Sequence, residues 1–182
     1  PALPPSLGGT ALDRRAFRRA HGVEDDEVVV VHAARLEPMK GHRELLRAVA
    51  RLRDLSTWRV WFVGGPQREQ EHAYLAELKE LARSLEVEGR ICFLGQRTDV
   101  PHLLRAADVL CQPDTEPESF GMSYIEAEFA GLPVITTDFG GAREAVGEGC
   151  GILVPPRDPY ALTEALRRVL TDPEVRRRAR EK

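Results

Sequence analysis

The stretch Glu27–Leu36, which reads EVVVVHAARL, contains four consecutive valines with no polar residue between them. An unbroken β-branched run is typical of a strand that is buried on both faces, as strands are in a parallel sheet. Leucine and valine then recur at helical spacing between residues 41 and 55, and WRVWFVGGP at residues 58–66 indicates a second strand that ends in glycines. Together the three segments predict a β-α-β unit.

The alternation of strands and helices continues to the end of the chain. Asp158 with Pro159 and Asp172 with Pro173 are typical helix openings, in which the acid is the N-cap and proline takes the first helical position. We therefore predict a Rossmann-like, doubly wound parallel sheet of the α/β class. The remaining predicted elements are helices near residues 12–21, 70–85 and 100–107 and the strands RICFLG (90–95), DVLCQP (108–113), PVITTD (133–138) and GILVPP (151–156).

Length and composition are those of an ordinary globular protein. The 182 residues, 42% of them hydrophobic and 30% charged, are enough for one domain with a full core. A net charge of −3 argues against a nucleic-acid partner, because basic residues dominate domains of that kind. No apolar run approaches the ~20 residues needed to cross a bilayer. Cys92, Cys111 and Cys150 are odd in number and widely spaced, which favours a reducing compartment and a cytoplasmic location.

Residues that could bind a ligand follow the predicted strands. Arg35 and Lys40 come after the first strand, Gly64 after the second, and Gln96 and Arg97 after the third. In doubly wound sheets, ligands bind outside the carboxyl ends of the strands. We therefore expect these residues to share one rim of the sheet.

An arginine and a lysine on that rim suit an anionic ligand. A guanidinium can bind two phosphate oxygens at once, and an ammonium adds a compact charge. Arg35 and Lys40 could therefore hold a diphosphate together. The alternative is that the two side chains only form ion pairs with Glu37 or Glu44, or face solvent.

The segment PESFGMSYIEAEFAGLPVIT, residues 117–136, places two glutamates eight residues apart across the start of a predicted helix. Helix capping is one explanation, since Thr115 with Glu118 and Ser123 with Glu126 both match the Ser/Thr-x-x-Glu capping box. A second explanation is that both carboxylates, Glu118 and Glu126, bind a ligand.

The start of the same helix has a second property that favours a phosphate ligand. Phe120, Gly121 and Met122 open the helix, where free amides and the positive end of the helix dipole attract anions. Glycine at this point also lets a ligand approach the backbone closely. A cation pair and a helix N-terminus in one crevice predict a diphosphate ligand.

Familiar cofactor and metal motifs are missing from the sequence. There is no GxxxxGK[ST] loop, no GxGxxG after the first strand and no Asp-x-Asp, and the five histidines lack the spacing of metal ligands. We therefore expect a site without metal or cofactor, in which Arg35 and Lys40 take the place of the cation.

The motifs together resemble a known family. The segments ARLEPMKGHRELLRAVARL (34–52), VGG (63–65) and residues 90–166, which contain the Glu-x7-Glu element with an internal Phe-Gly, resemble the C-terminal, donor-binding domain of group 1 retaining glycosyltransferases. The similarity covers about Val28 to Leu170. It implies one of the two Rossmann-like domains of the GT-B fold and a nucleotide diphosphate sugar, with UDP or GDP, as the substrate.

The resemblance also implies a role for each candidate residue. Glu118 would contact hydroxyls of the donor sugar beside the anomeric carbon, with Glu116 as a nearby rival, and Glu126 would accept hydrogen bonds from the ribose. Arg35 and Lys40 would bind the diphosphate. The other implied donor-binding residues are Gly64, Gln96 and Arg97, and Phe120, Gly121 and Met122. Gln96 and Arg97 would meet the nucleobase, mostly through main chain, and the amides of Phe120, Gly121 and Met122 would hold the sugar and phosphate.

The resemblance implies a domain organisation as well. Residues 1–9 would be the remnant of an interdomain linker, and residues 10–182 the nucleotide-sugar domain, with the N-terminal acceptor-binding domain absent. Without that domain we expect no turnover, because the closed cleft that positions both substrates is missing. The full-length enzyme could associate peripherally with a membrane.

Two other kinds of function remain open at this point. A nucleotide-sugar epimerase or a sugar phosphorylase shares the two-domain architecture, although a phosphorylase would need a lysine for a pyridoxal Schiff base and Lys79 has no special setting. A non-catalytic interaction module that kept the fold is the third candidate, and it predicts no nucleotide binding.

Overall fold

The computed structural model describes residues 14–117, 121–146 and 151–180. Its strands form a six-stranded sheet in the order β3-β2-β1-β4-β5-β6, and every neighbouring pair is parallel. The predicted doubly wound sheet is thereby confirmed. The strands are β1 (Val28–Ala33), β2 (Trp58–Val63), β3 (Ile91–Gly95), β4 (Val109–Gln112), β5 (Val134–Thr137) and β6 (Gly151–Val154).

Helices cover both faces of the sheet. Helices α2, α3 and α7 contribute to one buried cluster, and α1, α4 and α5 pack into the cluster on the other face. The helices are α1 (Arg14–Ala20), α2 (His42–Val49), α3 (Glu69–Ser84), α4 (Val100–Ala106), α5 (Met122–Phe129), α6 (Gly140–Ala145), α7 (Pro159–Thr171) and α8 (Pro173–Arg180), with 3-10 turns at Pro38–Lys40 and Glu88–Arg90.

The valine run explains why the sheet has two cores. Val28 and Val30 pack into the cluster with α2, α3 and α7, whereas Val29 and Val31 pack into the other cluster. Successive side chains of a strand point to opposite faces, so an unbroken apolar run is needed when both faces are covered.

The two predicted helix N-caps are confirmed, whereas the helix after β1 ends earlier than predicted. Asp158 caps α7 as expected, accepting hydrogen bonds from the amides of Tyr160 at 3.0 Å and Ala161 at 2.9 Å. Asp172 accepts one from the amide of Glu174 at 2.9 Å at the start of α8. The helix predicted over 41–55 instead ends at Val49, because the apolar spacing continues through a turn that still buries Leu52.

Helix α6 was not predicted. It begins with Gly140 and Gly141, and glycine is a poor helix former. Its buried Ala142 and the following Val146 pack into the cluster with α4 and α5, and this tertiary burial outweighs the local preference of the glycines.

A buried ion pair anchors α1 to the centre of the sheet. Asp108, just before β4, accepts hydrogen bonds from Arg18 Nη1 at 2.8 Å, from the Val29 amide at 2.8 Å and from Arg14 Nη2 at 2.6 Å. Burial opposes ionisation of this carboxyl, but the bonds from Val29 and Arg18 hold its pKa below the usual range. The ionised carboxylate therefore joins α1, β1 and β4.

Within the described ranges, no helix is both long and apolar enough to span a bilayer.

Candidate functional site

The strand order changes direction between β1 and β4, and the loops that follow these two strands meet there. The amide of Thr115 donates to the carbonyl oxygen of Met39 at 2.8 Å, which joins the two loops. Gly41 has φ +75°, and a Cβ at this position would lie 2.0 Å from the carbonyl oxygen of Pro113. In doubly wound folds this crossing point is where ligands bind.

A cavity of about 230 Å³ opens at this edge of the sheet. Five of the predicted site residues line it, and they come from the loops after three strands and from α5: Arg35, Gly64, Gln96, Arg97 and Glu126. Gln67 and Val100 line the cavity as well and were not predicted; the position of Gln67 soon after the strand-ending glycines is the only sequence signal for it.

Gly64 has no side chain, so it lines the cavity with its backbone. It has φ +142°, and a Cβ would lie 2.0 Å from the carbonyl oxygen of Ala34. Only glycine allows the ends of β1 and β2 to approach in this way, so the main chain itself is available to a ligand.

The side chains of Arg35 and Lys40 lie in different environments. Arg35 is 65% exposed and forms an ion pair with Glu37 at 2.8 Å, which is the pairing considered above as an alternative. An exposed pair of this kind stabilises a protein by less than about 1 kcal/mol, so an anion could displace it. Lys40 is only 8% exposed and does not line the cavity.

Arg97 is held in place by Asp99. Its Nε and Nη2 donate to the two carboxylate oxygens at 2.8 and 2.7 Å, and these hydrogen bonds lower the pKa of Asp99. Arg97 therefore lines the cavity with its charge already paired.

The start of α5 supports a ligand role for Glu126. Gly121 is in the left-handed region and precedes Met122, which is 60% exposed. Ser123 lies inside the helix and its hydroxyl donates to Gln112 Oε1 at 2.9 Å, so the capping box proposed for Ser123 and Glu126 is wrong. Glu126 is exposed and lines the cavity instead.

Three residues singled out from the sequence lie outside the described ranges: Glu118, Phe120 and Cys150. The predicted roles of Glu118 and Phe120 therefore stay predictions from the resemblance.

Two buried histidines support the loop that carries Lys40. The rings of His32 and His42 lie 4.2 Å apart, and His32 Nε2 is 2.6 Å from the carbonyl oxygen of Lys40. Burial lowers the pKa of His32 to about 4. Burial and the neighbouring His32 lower the pKa of His42 to about 2. Both rings are therefore neutral near pH 7.

These histidines should make the fold sensitive to mild acid. In the unfolded chain each takes up a proton below a pKa of about 6.5, whereas in the folded chain both stay neutral down to a pKa of about 4 or lower. Stability is therefore complete above pH ~6.5 and is lost as the pH falls, by on the order of 2 kcal/mol per histidine at pH ~5.

Urea unfolding at several pH values measures this loss. A His42→Phe variant should show a flatter dependence of unfolding free energy on pH, whatever its absolute stability. His72 is exposed, and His72→Phe should keep the wild-type dependence. Equal slopes for all three proteins would show that the buried histidines do not control the acid response.

A larger cavity of about 490 Å³ lies between α2 and the start of α7. Its lining mixes Arg47, Arg51 and Arg157 with Glu44 and Asp158, so charges of both signs face it. Pro113, Asp114 and Thr115 after β4 also line this larger cavity. None of the residues predicted for the donor does, which makes the smaller cavity at the carboxyl ends of β1, β2 and β3 the better candidate.

Over residues 14–117, 121–146 and 151–180, no three histidine, cysteine or acidic side chains are grouped so that they could hold a metal ion. The expectation of a site without metal or cofactor stays a prediction.

The chain is 36% identical to the D-inositol 3-phosphate glycosyltransferase of Kineococcus radiotolerans, over 91% of this chain and 41% of that protein. The chain thus spans about two fifths of the length of this curated relative.

Solved structures have the same fold. Anabaena Alr3699/HepE in complex with UDP-glucose superimposes with a TM-score of 0.85 at 31% identity, over 95% of this chain and 48% of that one. The C-terminal domain of a group 1 glycosyl transferase family protein (LpcC) from Francisella tularensis gives a TM-score of 0.81 over 94% of this chain and 89% of that one. At 20% identity the second likeness shows the fold alone. The family model for glycosyl transferases group 1 matches residues 13–182, and the chain therefore belongs to that family.

Proposed function

We propose that this chain is the donor-binding domain of a retaining, metal-independent glycosyltransferase, which transfers a sugar from a nucleotide diphosphate sugar to an acceptor hydroxyl. The observation that carries the proposal is the cavity at the carboxyl ends of β1, β2 and β3. It gathers Arg35, Gly64, Gln96, Arg97 and Glu126 from separate segments of the chain.

The size and lining of the cavity fit the nucleoside half of such a ligand. Its volume of about 230 Å³ is below the ~300–1,000 Å³ of pockets that enclose a whole small molecule. The exposed carboxylate of Glu126 is a pure hydrogen-bond acceptor, which suits the two hydroxyls of a ribose. The base would lie against Gln96, Arg97 and the backbone at Gly64.

The diphosphate would extend from the cavity toward Arg35 and the N-terminus of α5. Arg35 would exchange its exposed pair with Glu37 for phosphate oxygens, and the amides at Gly121 and Met122 would add donors. Lys40 would have to turn outward from its buried position. Fixed donors and cations that stabilise the leaving diphosphate are usually the largest catalytic contribution that a site of this kind can make.

The residue expected to contact the sugar lies outside the described ranges, and the acceptor is expected to bind outside this chain. From the resemblance, Glu118 would orient the sugar and stabilise its developing positive charge. The acceptor would be bound by another part of the full-length enzyme, since this chain covers 41% of its relative. We therefore expect the chain to bind a nucleotide without turnover.

UDP is the first nucleotide to test, because a solved structure that is 31% identical to this chain is a complex with UDP-glucose. GDP is the comparison, since the base would be contacted mostly by main chain. Membership of a glycosyl transferase family favours sugar transfer over an epimerase or a phosphorylase. The non-catalytic module remains a competing hypothesis that nucleotide titration can eliminate.

Calorimetric titration of the chain with UDP and GDP should show binding of one nucleotide with a dissociation constant on the order of 1 mM or tighter, equivalent to about −4 kcal/mol. Replacing Glu126 by glutamine removes charge-assisted hydrogen bonds to the ribose, each contributing about 1.5–3 kcal/mol, so affinity should fall at least ~10-fold. Glu128→Gln is the matched control, because Glu128 lies on the same helix but does not line the cavity.

Two results would contradict the proposal. If the folded wild-type chain binds neither nucleotide at several millimolar, the interaction-module hypothesis takes the lead. If Glu126→Gln and Glu128→Gln weaken binding equally, the ribose contact assigned to Glu126 is wrong.

A further inference from the structure

A buried polar network connects the end of β4 with the first turn of α5. The hydroxyl of Tyr124 donates to Asp114 Oδ2 at 2.5 Å, and Gln112 Nε2 lies 3.1 and 3.0 Å from the two oxygens of the same carboxylate. The other side of the Gln112 amide accepts a hydrogen bond from Ser123 Oγ at 2.9 Å. Thr136 Oγ1 of β5 lies 2.9 Å from the Tyr124 hydroxyl oxygen.

The network is an unusual feature of an apolar core. Asp114 is 3% exposed and Tyr124 is 1% exposed, and a buried carboxylate is costly unless it is hydrogen-bonded. A hydroxyl donating to a carboxylate at 2.5 Å belongs to the short, strong class of charge-assisted bonds. Removing one partner of such a bond leaves a buried group unsatisfied, so the bond strongly favours one geometry.

The position of the network links it to the candidate site. Asp114 lies where the chain leaves β4, and Tyr124 lies in the first turn of α5, so their bond ties the start of α5 to the end of β4. Gly121 caps this helix and Glu126 lies on it. The direction of α5, and with it the Glu126 carboxylate, therefore depends on the contact between Asp114 and Tyr124.

We infer that Tyr124 and Asp114 are positioning residues for nucleotide binding: they orient the N-terminus of α5 and Glu126 toward the ligand, without touching it. The inference rests on the proposed donor-binding function. The competing interpretation is that the network contributes only to the stability of the core.

Tyr124→Phe tests the inference with a matched control elsewhere in the molecule. Tyr74 on α3 is also buried, at 6% exposure, and its hydroxyl makes no hydrogen bond within the described part of the chain. Tyr74→Phe therefore removes the same atom without breaking a bond, on the other face of the sheet. UDP titration and amide hydrogen exchange of the ligand-free chain are measured for both variants and the wild type.

We expect Tyr124→Phe to bind UDP at least ~10-fold more weakly, which corresponds to about 1.4 kcal/mol, and to exchange amides 121–126 faster than the rest of its core. Tyr74→Phe should match the wild type in both measurements. If Tyr124→Phe does not fold, Ser123→Ala breaks the neighbouring contact to Gln112 and replaces it in the same test.

Each other result decides against the inference. Unchanged exchange at residues 121–126, or faster exchange spread evenly over the core, would assign the network to stability alone. Faster local exchange with unchanged UDP affinity would show that the orientation of α5 does not control binding. If the wild type binds GDP but not UDP, GDP replaces UDP in the same test. If it binds neither, the proposed function fails, and the exchange pattern still decides whether Tyr124 orients α5.

Discussion

Replacing Asp108 by asparagine is expected to lower the free energy of unfolding by about 3–5 kcal/mol, a large part of the stability of a single domain. The variant keeps the size of the side chain but removes the charge that faces Arg18, whose side chain is 6% exposed. A buried guanidinium without its carboxylate is far more costly than the loss of the pair as a whole, because the remaining charge stays desolvated.

Urea unfolding of the variant beside Asp25→Asn measures the effect of burial directly. Asp25 accepts hydrogen bonds from Arg15 at 2.9 and 2.8 Å, so it too is paired with an arginine, but its side chain is 49% exposed. Surface pairs contribute little because water solvates either partner alone. Similar losses in the two variants would mean that Asp108 does not act through its buried charge.

Gly41→Ala is the second substitution for which we expect a large effect. An alanine at φ +75° is strained by about 1–2 kcal/mol. Its Cβ would also overlap the Pro113 carbonyl oxygen, at 2.0 Å, and relieving such an overlap by shifting backbone typically costs a further ~1–3 kcal/mol. The shift would separate the loops after β1 and β4, so UDP binding should be lost together with about 2–5 kcal/mol of stability.

Gly22→Ala separates the two contributions. Gly22 has φ +70°, but no atom lies within 4 Å of the position that its Cβ would take. The Gly22→Ala variant should therefore lose only ~1–2 kcal/mol of stability, through backbone strain, and should keep its affinity for UDP. Equal unfolding free energies for the two variants, measured by chemical denaturation, would show that the contact with Pro113 is relieved at no cost.

Local sequence patterns predicted the sheet because its strands are encoded locally. The four valines of β1 predict a strand by themselves, because only burial on both faces favours an unbroken apolar run. Helix α6 was missed for the opposite reason, because Gly140 and Gly141 are helical only where Ala142 is buried in the core. The end of α2 was placed too late because Leu52 continues the apolar spacing beyond Val49.

The site was predictable where it depends on topology and unpredictable where it depends on side-chain partners. Arg35, Gly64, Gln96 and Arg97 line one cavity because parallel strands end at one edge. Which side chains of separate segments pair with each other, such as Arg18 with Asp108 or Tyr124 with Asp114, depends on how those segments pack. No spacing rule in a single sequence contains that information.

The crossing between β1 and β4 is also the boundary between two halves of the chain. β1 is aligned with β2 along Val28–Ala33 but with β4 only at Val30 and Val31, a strand that follows about eighty residues later. Contacts between segments so far apart in sequence should form late in folding, and the buried Asp108, which bonds both Arg18 and the Val29 amide, holds the boundary once it has formed. A ligand that contacts Arg35 on one half and Glu126 on the other would add a second link across the same boundary, so occupancy should stabilise the contact between the halves further.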